Sequence, residues 1–178
     1  MDDNVTTVAD DLRRLMGELD LERHQLIRNI ETCRIRDIER PFVGEWSLKD
    51  IVGHVASWEA EVVSSLRDVR EGKRPSLLVF DESQLDRWNQ DHVERKRDID
   101  FWSLMQQLRH GRDRLLEEVA LVPGAEFVDA SSLSRRLVHS LIDHDRTHWH
   151  EIAALLAGMA GARATGPSSI PEEVEHTA

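Results

Sequence analysis

The sequence predicts an all-α protein, a four-helix bundle with an extra short helix or loop between its second and third helices. Three observations support this fold class. Apolar residues recur at helical spacing nearly throughout, no stretch of strand length alternates apolar and polar residues, and Gly and Pro punctuate the periodic segments. The 178 residues suffice for one domain with its own core. We assign residues 1–160 to the bundle and residues 161–178, rich in Gly, Pro, Ser and Glu, to a disordered tail.

The first two helices are defined by long apolar stripes. The first runs from about Thr6 to Cys33, and its stripe comprises Val8, Leu12, Leu15, Leu19, Leu26 and Ile30. "RPFVGEWS" then interrupts the periodicity. Ser47 resembles an N-cap for the second helix, with Asp50 supplying an acidic first turn where a capping box has Glu or Gln. This helix extends to about Glu71, and Gly72 ends it.

The second half of the chain contains one short and two long periodic segments. "GKRPSLLVFDE" is a connection whose residues 77–80 could form a short extended or packing segment. Residues 81–96 are predicted to form a shorter, polar helix. Asp98 is positioned to cap the third long helix, which "VPG" at residues 122–124 closes. Ser131 or Ser132 opens the fourth long helix, which ends near Gly158.

Composition excludes several functional classes. The net charge of −11, from 23 Lys and Arg against 34 Asp and Glu, opposes nucleic-acid binding. The basic run "RKR" at residues 95–97 lies between acidic residues, as on a solvated helix face. The acidic N-terminus does not resemble a signal peptide, and no apolar run approaches the length of a membrane span. Cys33 is the single cysteine, so the sequence predicts a reducing, cytoplasmic location.

The segment "HDRTHWHEI" contains three of the nine histidines. His144 and His148 continue the apolar stripe of the fourth helix, which also includes Leu137, Leu141 and Leu155. Side chains four residues apart on a helix lie side by side, so these two imidazoles can share one ion. His150 is rotated away from this face and is predicted to lie at the surface.

A third candidate ligand, His54, borders the apolar stripe of the second helix. Facing helices of a bundle can direct such side chains to one point, which gives a hypothetical site of three imidazoles with a coordination position left open. Packed, metal-free histidines remain an alternative, as does a binding module whose pocket is lined by Trp46, Trp58, Trp88 and Trp102. The carboxylates that could accept hydrogen bonds from the imidazoles are Glu59, Asp143, Asp145 and Glu151.

Two segments together resemble the signatures of the DinB/YfiT-like superfamily. "GEWSLKDIVGHVASWE" (residues 44–59) matches the first, with its Trp, Ser, His and following Trp-Glu. "HDRTHWHEI" matches the second, H-x-x-x-H, although His150 and Glu151 stand where a small residue and Gln are usual. The resemblance covers about residues 6–158. It implies a four-helix bundle that binds a divalent ion through His54, His144 and His148.

The resemblance also implies a function. Characterised members of this superfamily are thiol-dependent transferases or isomerases, so we expect a metal-dependent thiol S-transferase or hydrolase acting on a small molecule. The expected cofactors are Zn, Ni, Fe or Mn and a low-molecular-weight thiol, and the expected assembly is a homodimer. Residues 85–108 are also similar to the ClbS/DfsB branch, which implies the alternative of a protective or sequestering protein without turnover or without metal. No residue is assigned a catalytic role.

Overall fold

The computed structural model describes residues 2–164, and most of this part of the chain is helical, which confirms the all-α prediction. The six α-helices of these residues are α1 Asp2–Thr32, α2 Leu48–Arg70, α3 Glu82–Lys96, α4 Phe101–Ala120, α5 Gly124–Val128 and α6 Leu133–Ala164. An antiparallel hairpin, β1 Pro41–Val43 and β2 Trp46–Ser47, connects α1 to α2. Single 3₁₀ turns lie at Ile35–Asp37 and Ser76–Leu78. Within residues 2–164, no helix has the length and apolarity to cross a membrane.

Local side-chain hydrogen bonds explain where the helices begin. Ser47 caps α2 through a reciprocal pair of hydrogen bonds with Asp50, so the shorter Asp side chain completes the capping box. Asp81 caps α3 in the same way with Gln84. The predicted cap of the third long helix at Asp98 is wrong. Asp100 caps α4 instead, because Asp98 belongs to the turn that follows α3.

Two short elements were not predicted from the sequence. The hairpin turns at Gly44, whose φ of 58° lies in the left-handed region that glycine tolerates. The short helix α5 follows Pro123, in a segment that we had interpreted as the end of a helix and a connection. Its side chain Phe127 is 1% exposed, so this turn contributes to the core. Gly72, with φ of 72°, follows α2 as predicted.

The helices enclose two apolar clusters. Helix α2 packs against α3, α4 and α6, while α1 packs against α5 and α6. Along α1, the first cluster ends at Leu19 and the second begins at Leu26; along α4, Leu108 and Leu115 belong to different clusters. Between the clusters lie buried and half-buried polar side chains, which we call the polar layer: Arg23, His54, Glu59, Arg112, His144, Asp145 and His148. The candidate site belongs to this layer.

The end of α6 differs from the predicted domain boundary. The helix continues through residues 161–164, beyond the predicted end near Gly158. The other residues of the predicted tail, 165–178, lie outside the described part of the chain. The division into a bundle at residues 1–160 and a tail at 161–178 therefore stays a prediction.

Candidate metal centre

The three histidines selected from the sequence converge in the polar layer. The Nε2 atoms of His54 and His144 are 2.7 Å apart, and those of His144 and His148 are 3.3 Å apart. One nitrogen from each ring lies within 4.8 Å of the others. His54 is 3% exposed and His148 is 7% exposed. Two helices, α2 and α6, thus bring three imidazoles to one point.

Two tryptophan rings pack against the imidazoles of the site. Trp58, one helical turn beyond His54 on α2, stacks on the His144 ring with a centroid separation of 4.7 Å and an interplanar angle of 5°. Trp46 of the hairpin lies 4.9 Å from the His54 ring. These contacts restrict the ring orientations and surround the cluster with apolar surface. The hairpin that the sequence analysis missed therefore contributes one wall of the site.

Burial keeps two of the imidazoles neutral. Desolvation lowers the pKa of His54 to about 3, and repulsion from His148, His92 and Lys96 contributes to this shift. Desolvation likewise lowers the pKa of His144 far below its usual range. A neutral imidazole keeps one nitrogen lone pair, which is the form that binds a metal ion. His54 and His144 can therefore each offer a nitrogen lone pair to a metal ion near neutral pH.

One of the predicted acceptor carboxylates orients a histidine. His148 Nδ1 lies 2.8 Å from Glu151 Oε2, and in the tautomer that donates from Nδ1 to this carboxylate the Nε2 lone pair is directed towards the other two rings. Asp143 is instead exposed and accepts from Arg146. Within residues 2–164, the buried Nδ1 atoms of His54 and His144 have no hydrogen-bond partner.

The spacing of the nitrogens fits a small divalent ion. In a tetrahedral site with metal–nitrogen bonds of about 2.05 Å, two ligand nitrogens are about 3.3 Å apart. The Nε2 atoms of His144 and His148 are 3.3 Å apart, those of His54 and His144 are at a hydrogen-bond distance of 2.7 Å, and all three ligand nitrogens lie within 4.8 Å of one another. A hydrogen bond between two neutral imidazoles needs a proton on one Nε2 only. On binding of an ion, that proton would move to the Nδ1 atom of the same ring, which leaves both Nε2 lone pairs for the ion. The donor set therefore fits a metal ion with one open position.

Beside the histidines lies a buried group of two arginines and two carboxylates, which we call the ionic quartet. Its members are one residue from each long helix: Arg23 of α1, Glu59 of α2, Arg112 of α4 and Asp145 of α6. Arg23 donates to both Asp145 oxygens, at 2.8 and 3.1 Å, and to Glu59 at 2.9 Å. Arg112 donates to Asp145 at 2.9 Å and forms a 2.8 Å ion pair with Glu59. The formal charges of the quartet cancel.

The quartet was not predicted from the sequence. Glu59 and Asp145 were considered only as partners of the imidazoles, and Arg23 and Arg112 resemble ordinary surface charges when taken singly. One signal was available: Gly111 lies in the middle of α4, where glycine lowers helix stability. A Cβ at this position would lie 2.9 Å from Glu59 Oε2, so a larger residue would displace the carboxylate.

Helix α3 covers the α2 side of the site. Trp88 meets Trp58 edge-on at 5.7 Å, and His92 stacks on Trp88 at 3.8 Å. Lys96 donates to the Gly53 carbonyl at 3.1 Å, and burial lowers the pKa of its ammonium to about 8. Trp102, the fourth member of the predicted tryptophan pocket, is 64% exposed on α4 and contacts Phe101 instead. His150 is exposed, as predicted.

Comparison with known proteins adds no assignment. No protein-family model, no curated protein and no solved structure matches this chain. The family resemblance therefore continues to depend on the two motifs quoted above. What the structure adds is the convergence of the histidines that those motifs contain.

Proposed function

We propose that this protein is a DinB/YfiT-like four-helix bundle that binds a divalent metal ion through His54, His144 and His148. The observation that carries the proposal is the convergence of three buried imidazoles within 4.8 Å. Without an ion, one Nε2 proton on the His144 ring would face two acceptor nitrogens, and the Nδ1 atoms of His54 and His144 would keep no hydrogen-bond partner among the described residues. Because the pKa values of His54 and His144 are lowered, protonation of these rings does not supply the missing hydrogen-bond donors at neutral pH. Zn, Ni, Fe and Mn all suit imidazole ligands.

The side chains of this protein would bind the metal ion and orient its ligands. His54 and His144 are neutral rings, so neither carries a positive charge that would repel the ion, and Glu151 keeps the Nε2 lone pair of His148 directed at the centre. Trp46 and Trp58 exclude water from the flanks of the rings. A bound divalent ion would lower the pKa of a water or thiol at its open position and so favour a nucleophile near neutral pH.

These properties support a thiol-dependent transferase or metal-assisted hydrolase that acts on a small molecule. We place it in the cytoplasm because Cys33 is its single cysteine, and we expect a homodimer on the family resemblance. Cys33 is not the nucleophile, because burial and the charge of Asp37 raise the pKa of its thiol. The nucleophile is therefore expected to come from a free thiol or from water.

Metal analysis tests the proposed ligands. Protein purified without an affinity tag is expected to contain about one divalent ion per chain, and the His148→Ala variant is expected to contain almost none. His150→Ala is the matched control, because it removes an exposed imidazole two residues away. Equal metal content in the wild type and His148→Ala would refute the metal site.

A second candidate is the ClbS/DfsB-like one, a protein that sequesters a small molecule without turnover or without metal. The edge-on contact between Trp58 and Trp88 beside the histidines favours it, because indole rings offer apolar surface to a small molecule. Thermal stability measured with a panel of metals and thiols distinguishes the two. Stabilisation by metal together with a further response to thiols supports the enzyme, and stabilisation by metal alone, without turnover, supports the sequestering protein.

A further inference from the structure

An apolar cavity, remote from the histidines, lies where the end of α1 meets the start of α2 and the last turns of α6. Its volume is about 290 Å³. Its apolar walls are formed by Leu48, Leu155, Leu156 and Met159. Leu155 follows His148 by seven residues of α6, which corresponds to about 10 Å along the helix axis. Ile35, which follows the lining residue Arg34, is 78% exposed, so apolar surface continues outside the cavity.

The rim of the cavity carries an excess of positive charge, although the chain as a whole has a net charge of −11. Both oxygens of Asp37 are buried, and Arg40 and Arg36 approach them at 3.2 and 3.7 Å. Arg34 lines the cavity, is exposed, and has no ion pair within residues 2–164. The other carboxylates of residues 31–40 face basic residues elsewhere: Glu31 faces Arg109, and Glu39 faces Lys49. Three arginines therefore surround one carboxylate, and we call them the arginine rim.

The sequence that follows α6 contains a segment that complements this surface. Residues 170–175, "IPEEVE", combine apolar side chains with three glutamates. Helix α6 ends at Ala164, five residues or about 7.5 Å beyond Met159. Residues 165–170 can span up to about 20 Å, and their sequence "TGPSSI" contains the Gly-Pro pair that favours a turn. Ile170 can therefore return to the cavity.

We propose that residues 170–175 dock on this surface of their own chain, with Ile170 in the cavity and the glutamates at the arginine rim. Burial of the isoleucine side chain would stabilise the docked form, and the glutamates would balance the charge of Arg34. A second copy of the chain is disfavoured as the occupant, because two chains of net charge −11 repel each other. The covalent connection instead gives the segment an effective concentration in the millimolar range.

Cys33 reports whether the cavity is covered, because it lines the cavity and is the only cysteine of the chain. We expect Cys33 to react with the uncharged reagent iodoacetamide about threefold faster, or more, in a protein that ends at Ala164 than in the full chain. Raised salt concentration is expected to accelerate labelling of the full chain only, because salt screens the contact between the glutamates and the arginine rim. Equal labelling rates in the two proteins at low salt would overturn the proposal.

Two variants of the full chain test the assigned contacts. Ile170→Ser and Arg34→Glu are each expected to label nearly as fast as the protein that ends at Ala164. Arg34→Glu is also made in the shortened protein, so that its direct effect on the thiol can be subtracted. The matched control is Arg136→Glu, which reverses an exposed charge on α6 about 35 Å from Met159 along the helix axis and is expected to leave the rate unchanged. Labelling of Ile170→Ser at the rate of the unaltered full chain would contradict the docking of its side chain.

Two further measurements identify the occupant. A synthetic peptide of residues 165–178 is expected to slow Cys33 labelling of the shortened protein until the effect saturates, and absence of such protection would count against the proposal. The labelling rate of the full chain is expected to be independent of protein concentration. Slower labelling at higher concentration would assign the surface to residues 165–178 of a second copy and refute docking within one chain. None of these measurements depends on a metal ion, so the proposed function and this inference can fail separately.

Discussion

At the scale of single residues, Glu151 determines how His148 presents its lone pair. A neutral imidazole has one donor and one acceptor nitrogen, and the carboxylate at Nδ1 assigns the acceptor role to Nε2. The sequence could supply four candidate carboxylates but could not choose among them, because the choice depends on side-chain direction within one turn of α6. By contrast, the prediction that His144 and His148 lie side by side required only the geometry of a helix, and it was correct.

We predict that Glu151→Ala lowers metal affinity by about tenfold to a hundredfold, as loss of a partner of a ligating histidine does. Glu151→Gln, which keeps an oxygen acceptor without charge, is expected to lie between the wild type and Glu151→Ala. Competition with a chromophoric chelator measures the affinities. Asp143→Asn is the control, since this exposed carboxylate precedes His144 and pairs only with Arg146 on the surface. Similar losses in Glu151→Ala and Asp143→Asn would argue for a general charge effect instead.

At the scale of helices, local sequence signals predict where a helix begins and ends, whereas the candidate site depends on contacts between residues that are far apart in the sequence. Ser47, Asp81 and Gly72 were identified as helix ends because their roles depend on neighbours within four residues. The prediction of Asp98 as the cap of α4 was wrong, because Asp98 and Asp100 have the same side chain and only the course of the turn after α3 determines which of them caps the helix. The ionic quartet joins residues as far apart as Arg23 and Asp145, and no local pattern contains that information.

The quartet leads to a prediction about stability. Arg23→Met is expected to lower the free energy of unfolding by about 3–5 kcal/mol, because it leaves an uncompensated buried carboxylate. Arg13→Met is the matched control on the same helix. It removes an exposed pair with Asp10 and is expected to change stability by less than about 1 kcal/mol. Urea denaturation measures both, and comparable effects would contradict a special role for the quartet.

At the scale of the whole molecule, the neutral histidines make stability depend on pH. The pKa of His54 is about 3 in the folded protein and 6.5 in a model peptide, and the pKa of His144 is lowered in the same direction. Between these values the unfolded chain binds protons that the folded chain does not. The stabilising contribution is therefore complete above about pH 6.5 and is lost progressively as the pH falls towards 3.

For the metal-free protein we predict that the free energy of unfolding falls by about 1.4 kcal/mol per pH unit below pH 6 through His54 alone. Chemical denaturation at several pH values in the presence of a chelator measures the slope. His54→Phe removes the titrating group and is expected to show a shallower dependence. If the slopes of the two proteins agree between pH 4 and 6, His54 is not buried in its neutral form.

The neutrality of the ionic quartet has a consequence for how α6 sits against the other helices. A shift of this helix by one turn would move Asp145 about 5 Å and leave two arginines facing a single carboxylate. Apolar contacts alone would permit such a shift, because one leucine would take the place of another. The shift would, however, leave a buried charge without its partner, which is strongly destabilising. The quartet thereby sets the register of α6, and in that register His144 and His148 stand opposite His54.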